Sequence, residues 1–273
     1  MLKQTEALAV AGVSVSFPGR PVLEDVSFSL EAGAFCGLVG SNGSGKTTLL
    51  RTILGFVRPQ AGTVTVGGRG GRRSIGYVPQ KIVLDSYMPL RARDVVALGI
   101  DGGRLGLPLP SADRRRRVDD MLEAVDAAAF ADQRVGNLSG GQQQRILIAH
   151  ALIRQPALLL LDEPLANLDL RSTAEIVRLL HRISAEQGIA VLLSTHDMNP
   201  LLSAMDRIVY LANGRAATGP VEEVVRTEVL SRLYGYHIDV VRVHGRILVV
   251  AGETADEVRE EVAREPAHVA EIP

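Results

Sequence analysis

Gly40-Ser41-Asn42-Gly43-Ser44-Gly45-Lys46-Thr47 decides how this chain is read. It is a complete G-x-x-x-x-G-K-[ST] segment, the pattern of a phosphate-binding loop. Its glycines let backbone N–H groups turn inward and cradle an anion. Lysine occurs only at Lys3, Lys46 and Lys81, and arginine supplies the positive charge elsewhere. At Lys46 the compact ammonium can reach between phosphate oxygens where a planar guanidinium is too broad. Thr47 offers a hydroxyl to Mg²⁺. A helix beginning near Lys46 would aim its positive end at the anion. The flanks agree. Phe35-Cys36-Gly37-Leu38-Val39 reads as a short buried strand, and Thr48-Leu49-Leu50-Arg51-Thr52-Ile53-Leu54 as a helix.

A phosphate loop alone fits kinases, GTPases, helicases and transport ATPases. A second segment narrows the choice. Leu138-Ser139-Gly140-Gly141-Gln142 is followed by Gln143-Gln144-Arg145 and an apolar helical stretch from Ile146 to Ile153. Ser139 is a good N-cap, and the glycines expose N–H groups at a helix N-terminus. The chain thus carries two phosphate-binding ends. That suggests a shared site, with the loop from one subunit and the helix end from another.

With these residues the chain resembles the ATP-binding-cassette (ABC) ATPases. Leu138 to Gln142 matches their signature motif letter for letter. The other landmarks follow in the family's order. Leu158-Leu159-Leu160-Leu161-Asp162-Glu163-Pro164 is similar to the Walker B strand, and Ala166-Asn167-Leu168-Asp169 to the D-loop. His196, after the apolar strand Ala190 to Leu193, resembles the switch histidine. Gln80, after Ser74 to Pro79, resembles the Q-loop glutamine. Phe17 sits where the family places an aromatic that stacks on adenine. One departure is His150, where the family commonly has arginine.

The resemblance implies a division of labour. Lys46, Thr48 and the loop backbone would hold the β- and γ-phosphates of ATP. Thr47, Asp162 and Gln80 would arrange Mg²⁺. Glu163, beside the metal-linked Asp162, would be the general base. His196 would contact the γ-phosphate and hold Glu163 and the water. Ser139, Gly140, Gly141 and Gln142 of a second copy would close over the γ-phosphate, and Asp169 would couple the two sites. Singly, several of these residues have plain structural readings. Asp162-Glu163 and His196-Asp197 both suit helix caps, and Phe17 suits a core.

Composition sets the bounds. The chain has 273 residues and is 46% hydrophobic, ample for a sizeable core. The formal net charge of −1 gives no bulk basic field for nucleic acid. The single cysteine, Cys36, suits a reducing compartment and reads as a small core residue. The polar start from Met1 to Glu6 lacks the apolar stretch of a signal peptide, and no apolar run approaches the ~18 residues of a membrane span. The expectation is a soluble chain at the cytoplasmic face of the cell membrane, peripheral to a separate channel-forming subunit.

The pattern along the chain predicts an α/β fold: a P-loop NTPase core with a mostly parallel sheet, an N-terminal antiparallel β subdomain and an inserted helical subdomain. Ala7 to Phe17 and Val22 to Leu30 alternate like half-buried antiparallel strands, and Thr63 to Gly68 reads as a strand running into a turn. Ser74 to Val78, Leu158 to Asp162 and Val191 to Thr195 read as central strands. Arg207 to Leu211 and Ala216 to Gly219 flank Asn213-Gly214, a hairpin turn signal. Arg93 to Gly99, Ser111 to Ala129 and Ser139 to Arg154 read as helices within an insertion spanning about 81–156, with a loop at Gly102 to Pro110. The four arginines Arg114 to Arg117 read as a solvated helix face, with contact to acidic lipid or a transmembrane subunit as the alternative. An ATPase domain over 1–220 would be followed by a small α/β extension over 221–273. That extension reads as two short helices (Val221 to Arg226, Glu228 to Leu233), a hairpin turning at His244-Gly245, and a charged helix, Thr254 to Arg264.

A lone cassette of this length fits an importer subunit better than an exporter or a non-transport ABC protein. The stretch Tyr77 to Asp85, with Met88-Pro89-Leu90 and Asp94-Val95-Val96, is similar to ATPases of zinc and manganese importers. So is Leu233-Tyr234-Gly235-Tyr236. Iron–siderophore importer ATPases are the next resemblance. The implied partners are a transmembrane permease subunit, a second copy of the chain and a substrate-binding protein. The transported ion is not expected to bind here, because His181, His237 and His244 form no ligand set with Cys36.

Overall fold

Leu158-Leu159-Leu160-Leu161-Asp162 is apolar at all but its last position, so a strand built from it needs cover on both faces. In the computed structural model, which describes residues 6–67, 71–80, 88–101 and 111–252, this stretch is β6 (Leu158–Asp162) and is buried throughout. It lies in a six-stranded sheet with β3 (Phe35–Val39), β5 (Ile75–Val78), β7 (Ala190–Thr195), β8 (Arg207–Ala212) and β9 (Arg215–Gly219). The order is β5-β6-β7-β3-β8-β9, parallel except for the hairpin β8–β9. That hairpin turns at Asn213-Gly214, whose φ values of 49° and 76° suit a right-twisted two-residue turn.

Alternation along the strands divides the core in two. Leu159, Leu161, Val191 and Leu193 face one cluster, and Leu158, Leu160, Ala190 and Leu192 face the other. Each fully buried leucine contributes about 2 kcal/mol. The second cluster is closed by α1 (Lys46–Leu54) and by a three-stranded antiparallel sheet, β2-β1-β4, made of β1 (Glu6–Phe17), β2 (Arg20–Glu31) and β4 (Ala61–Val66). The alternation expected in β1 slips between Val10 and Val13. Val10 and Val13 are both buried because a bulge around Gly12 inserts extra chain between them.

The first cluster is closed by helices. Between β5 and β6 stand α2 (Ala92–Asp101), α3 (Ala112–Ala124) and α4 (Gly140–Leu152). The helix expected over Ser111 to Ala129 stops early. Asp126 takes a φ of 56°, and a short 3₁₀ turn follows at Ala128–Phe130. The break lets Val125, Ala127 and Phe130 all reach the core, and Arg145 holds it by donating to Val125 C=O and pairing with Asp126. The crossover helix α5 (Leu170–Gln187), which the sequence reading did not delimit, buries Ile176, Val177, Leu180 and Ile183. Gly188 ends it in the left-handed region.

Beyond β9 come α6 (Val221–Val224), α7 (Thr227–Tyr234) and a separate hairpin of β10 (Ile238–Val243) and β11 (Arg246–Ala251). Its turn at His244-Gly245 again has positive φ at both residues. Ile238 and Ile247 are buried in the first cluster, so the hairpin is seated on the main body. The expected helix at 254–264, the loop at 102–110 and residues 81–85 lie outside the described residues. Among the described residues no helix is long and apolar enough to cross a membrane.

Candidate functional site

Parallel register puts the strand ends side by side. Val39 pairs with Thr195, Asp162 with Ser194, and Val78 with Leu161. The segments that follow these strands therefore share the carboxyl edge of the sheet, where open α/β sheets bind ligands. They carry the loop Gly40 to Gly45, then Glu163, His196 and Gln80.

The loop is built around its glycines. A Cβ on Gly40 would lie 2.3 Å from Leu211 C=O, and Gly45 has a φ of 108°. Lys46 opens α1 and is buried, 6% exposed. Its Nζ donates to Gly40 C=O at 2.7 Å and Ser41 C=O at 3.1 Å, which aims the ammonium back across the loop. Nearby, the buried Ser44 hydroxyl has no hydrogen-bond partner among the described residues. A buried polar atom of this kind is costly unless a ligand satisfies it, so the cradle suits a phosphate oxygen.

Two carboxylates follow one another at the end of β6 and differ in environment. Asp162 is 3% exposed. It accepts from the Ser194 hydroxyl at 2.7 Å and from Thr47 Oγ1 at 3.4 Å, and among the described residues no cationic side chain pairs with it. A buried carboxylate beside a hydroxyl, without a cation of its own, fits a divalent ion held between them. Glu163 has a φ of 50°, which swings its side chain toward the loop. Its Oε1 is 3.5 Å from Lys46 Nζ, and its Oε2 is 2.9 Å from His196 Nδ1. Lys46, Thr47, Asp162, Glu163 and His196 are thus brought together.

The remaining expected residues are placed less tightly. Gln80 lies exposed two residues beyond β5, whose neighbour β6 carries Asp162. Phe17 is 49% exposed at the end of β1, not in a core. It belongs to the sheet whose Val22 and Leu23 occupy the space a Cβ on Gly45 would need, at 3.1 and 2.9 Å. Thr48 is half-buried in the first turn of α1. Ser139 caps α4 in a reciprocal pair, accepting from Gln142 N–H at 3.3 Å while Gln142 Oε1 accepts from Ser139 N–H at 2.9 Å. Among the described residues nothing accepts the Ser139 hydroxyl proton. Gly140 and Gly141 form the turn above it, and no described hydrogen bond or ion pair joins 139–142 to the loop. Asp169 caps α5. It accepts from the Ser172 N–H and hydroxyl, both at 2.8 Å, which holds its carboxyl below the usual range.

Sequence reasoning missed Ser194. Its hydroxyl donates to Asp162 and accepts from Glu163 N–H at 2.9 Å, so one residue fixes both carboxylates. The available signal was a hydroxyl at the end of an apolar strand, two residues before His196. Cys36 is the core residue expected, and burial pushes its thiol up to about 12. His150 is half-buried, and that desolvation lowers its pKa.

Known proteins resemble this chain in sequence and in fold. The family profile for ABC transporters matches residues 23–166. A zinc import ATP-binding protein of Pseudomonas fluorescens is 36% identical over 223 residues, covering 82% of this chain and 80% of the relative. A chelated iron transport system membrane protein of Yersinia pestis is 35% identical over 234 residues, covering 84% of this chain and 79% of the relative. A solved inward-facing structure of a proposed metal-chelate type ABC transporter superposes with a TM-score of 0.77 at 26% identity, over 91% of this chain and 98% of that one.

Proposed function

The chain belongs to the ABC transporter family as an ATP-binding subunit, an ATPase, and we propose that it hydrolyses ATP to drive a membrane partner importing a divalent metal ion, zinc or manganese. The observation that carries the hydrolytic part is Glu163, held between Lys46 and His196 beside the buried Asp162.

The residues divide the work. Lys46, the Ser44 hydroxyl, Thr48 and the loop N–H groups bind and orient the β- and γ-phosphates. Thr47 and Asp162, with Gln80, would hold Mg²⁺, which supplies charge neutralisation on the phosphate oxygens. Glu163 accepts the proton of the attacking water. Nδ1 of His196 against Oε2 keeps the carboxylate turned with Oε1 toward the loop. Phe17 offers a face for the adenine ring.

Among the described residues no hydrogen bond or ion pair links Ser139 to Gln142 with the loop of the same copy, and this supports a head-to-tail pair in which each copy's α4 terminus closes the other's site. Asp169 at the neighbouring α5 terminus would couple the two sites. A transmembrane permease and a substrate-binding protein complete the assembly, with this chain peripheral at the cytoplasmic face. The zinc import relative supports the ion class, and the chelated iron relative supports an iron–chelate importer as the second reading.

The test is the elemental content of cells whose native copy is replaced by Lys46→Ala, grown under metal limitation. Selective loss of zinc or manganese is expected. Loss of iron alone would promote the iron–chelate reading, and no change in any metal would discard the metal assignment.

A further inference from the structure

The loop that carries His196 is tied to the C-terminal hairpin by one side chain. Asn199 Oδ1 accepts from Ile247 N–H at 2.8 Å, and Asn199 Nδ2 donates to Ile247 C=O at 3.0 Å. A carboxamide that meets one residue's N–H and C=O together imitates a rung of a β-ladder. Register explains why Ile247 offers both groups. It lies opposite Arg242, one step from the Val243–Arg246 pair that closes the turn. Residues at that step direct N–H and C=O away from the partner strand. Among the described residues β11 has no second neighbour in its sheet, so Asn199 covers part of that edge. The Ile247 side chain is buried in the main core, which fixes the rung in space.

On its other side Asn199 grips the residue next to His196. Asn199 N–H and Nδ2 both donate to Asp197 Oδ1 at 2.9 Å. The two hydrogens on Nδ2 allow it to serve Asp197 and Ile247 together. Thr195 holds Asp197 from the opposite direction. Its hydroxyl donates to Asp197 C=O at 2.9 Å and accepts from Asp197 N–H at 3.1 Å. His196 is exposed, with little packing of its own, and stands between these two pinned residues. The hairpin also walls the same cleft of about 760 Å³ that Ser41 and His196 line, through Arg246 to Val249.

We propose, on the role given to His196 above, that Asn199 is a positioning residue for ATP hydrolysis, making the seat of the hairpin Ile238 to Ala251 part of what aims His196 at Glu163. The hairpin is then more than a packing appendage, because its seat is felt in turnover.

Steady-state ATPase kinetics of the full chain with MgATP provide the test. Asn199→Ala is expected to lower kcat about tenfold while KM stays within about twofold, because misaiming a group costs turnover and not ground-state binding. In a His196→Ala background, Asn199→Ala is expected to lower kcat no further, since residues acting through one group are not additive. A double variant that multiplies the two losses would overturn the proposal. So would normal turnover of Asn199→Ala beside a slow His196→Ala. Normal turnover of His196→Ala would remove the role of His196 first, and this proposal with it. A hairpin-side pair covers the case in which Asn199→Ala fails to fold. Ile247→Ala and Ile247→Pro both lose the buried side chain, but only proline loses the N–H that Asn199 accepts, and proline is tolerated where that N–H faces away from the ladder. The proline variant is expected to turn over at least about threefold more slowly than the alanine variant, a modest misalignment loss. Equal rates would sink the idea.

Discussion

Glu163 occupies a left-handed backbone conformation that a non-glycine residue holds at a cost of about 1–3 kcal/mol. The surroundings enforce it: Ser194 takes its N–H, and Lys46 and His196 take its two oxygens. Strain held this way keeps a carboxylate at one address. Glu163→Gln preserves shape and backbone but would remove the base proposed above. It is expected to bind ATP normally and hydrolyse it at least ~100-fold more slowly, as single-turnover assays would read. Near-normal turnover would take Glu163 out of that role. Gly40 carries the opposite kind of constraint, a lack of room. Gly40→Ala would press a Cβ into Leu211 C=O and Ser44 Oγ, at 2.3 and 2.6 Å. Displacing the loop by even ~1.4 kcal/mol weakens nucleotide affinity about tenfold, which equilibrium titration would detect.

At the scale of elements, the proposed function gives helix N-termini double service. α1 begins at the loop's lysine, α4 at Ser139 and α5 at Asp169. Ser139 and Asp169 satisfy their own helices through side-chain caps, yet each faces outward. Capping and ligand binding at Ser139 can be separated by substitution. Ser139→Ala should cost about 1 kcal/mol of stability in urea unfolding, the ordinary price of a lost cap. Ser139→Asp keeps the cap and should unfold within about 0.5 kcal/mol of the original, but places a negative charge where a γ-phosphate would close. Its ATPase activity should fall at least ~100-fold, comparable to losing a key oxyanion donor. Full activity in the aspartate variant would confine Ser139 to capping.

At the scale of the molecule, one copy assembles the loop, the carboxylates and His196, and among the described residues no hydrogen bond or ion pair joins Ser139 to Gln142 to them. A second copy completes the site under the proposed function. Glu163→Gln with ATP is therefore expected to elute at twice the monomer mass in size-exclusion chromatography, and Ser139→Asp with ATP at the monomer mass. A Glu163→Gln sample that stays monomeric at saturating ATP would argue against the head-to-tail pair. Position across the sheet also sorts the apolar residues. The alternate residues of β6 and β7 feed separate clusters, which is why strands read as unbroken apolar runs are stable only between two covered faces.

Much of this was written locally. The phosphate loop, the capping serine, the two Asn-Gly and His-Gly turns and the buried strands each follow from spacing and residue type within a dozen positions. Asp162-Glu163 and His196 were legible as candidates for the same reason. Packing decided what spacing could not. The helix expected to run to Ala129 breaks at Val125 because three apolar residues beyond it need a core that only other elements provide. Ser194 became the clamp of two carboxylates only when β6 and β7 paired in register. Asn199 met Ile247 across 48 residues of chain, a separation no local pattern records. Local pattern carries the chemistry because propensity and motif act over a few bonds. The alignment of that chemistry rests on long-range contacts, which depend on the whole chain being folded.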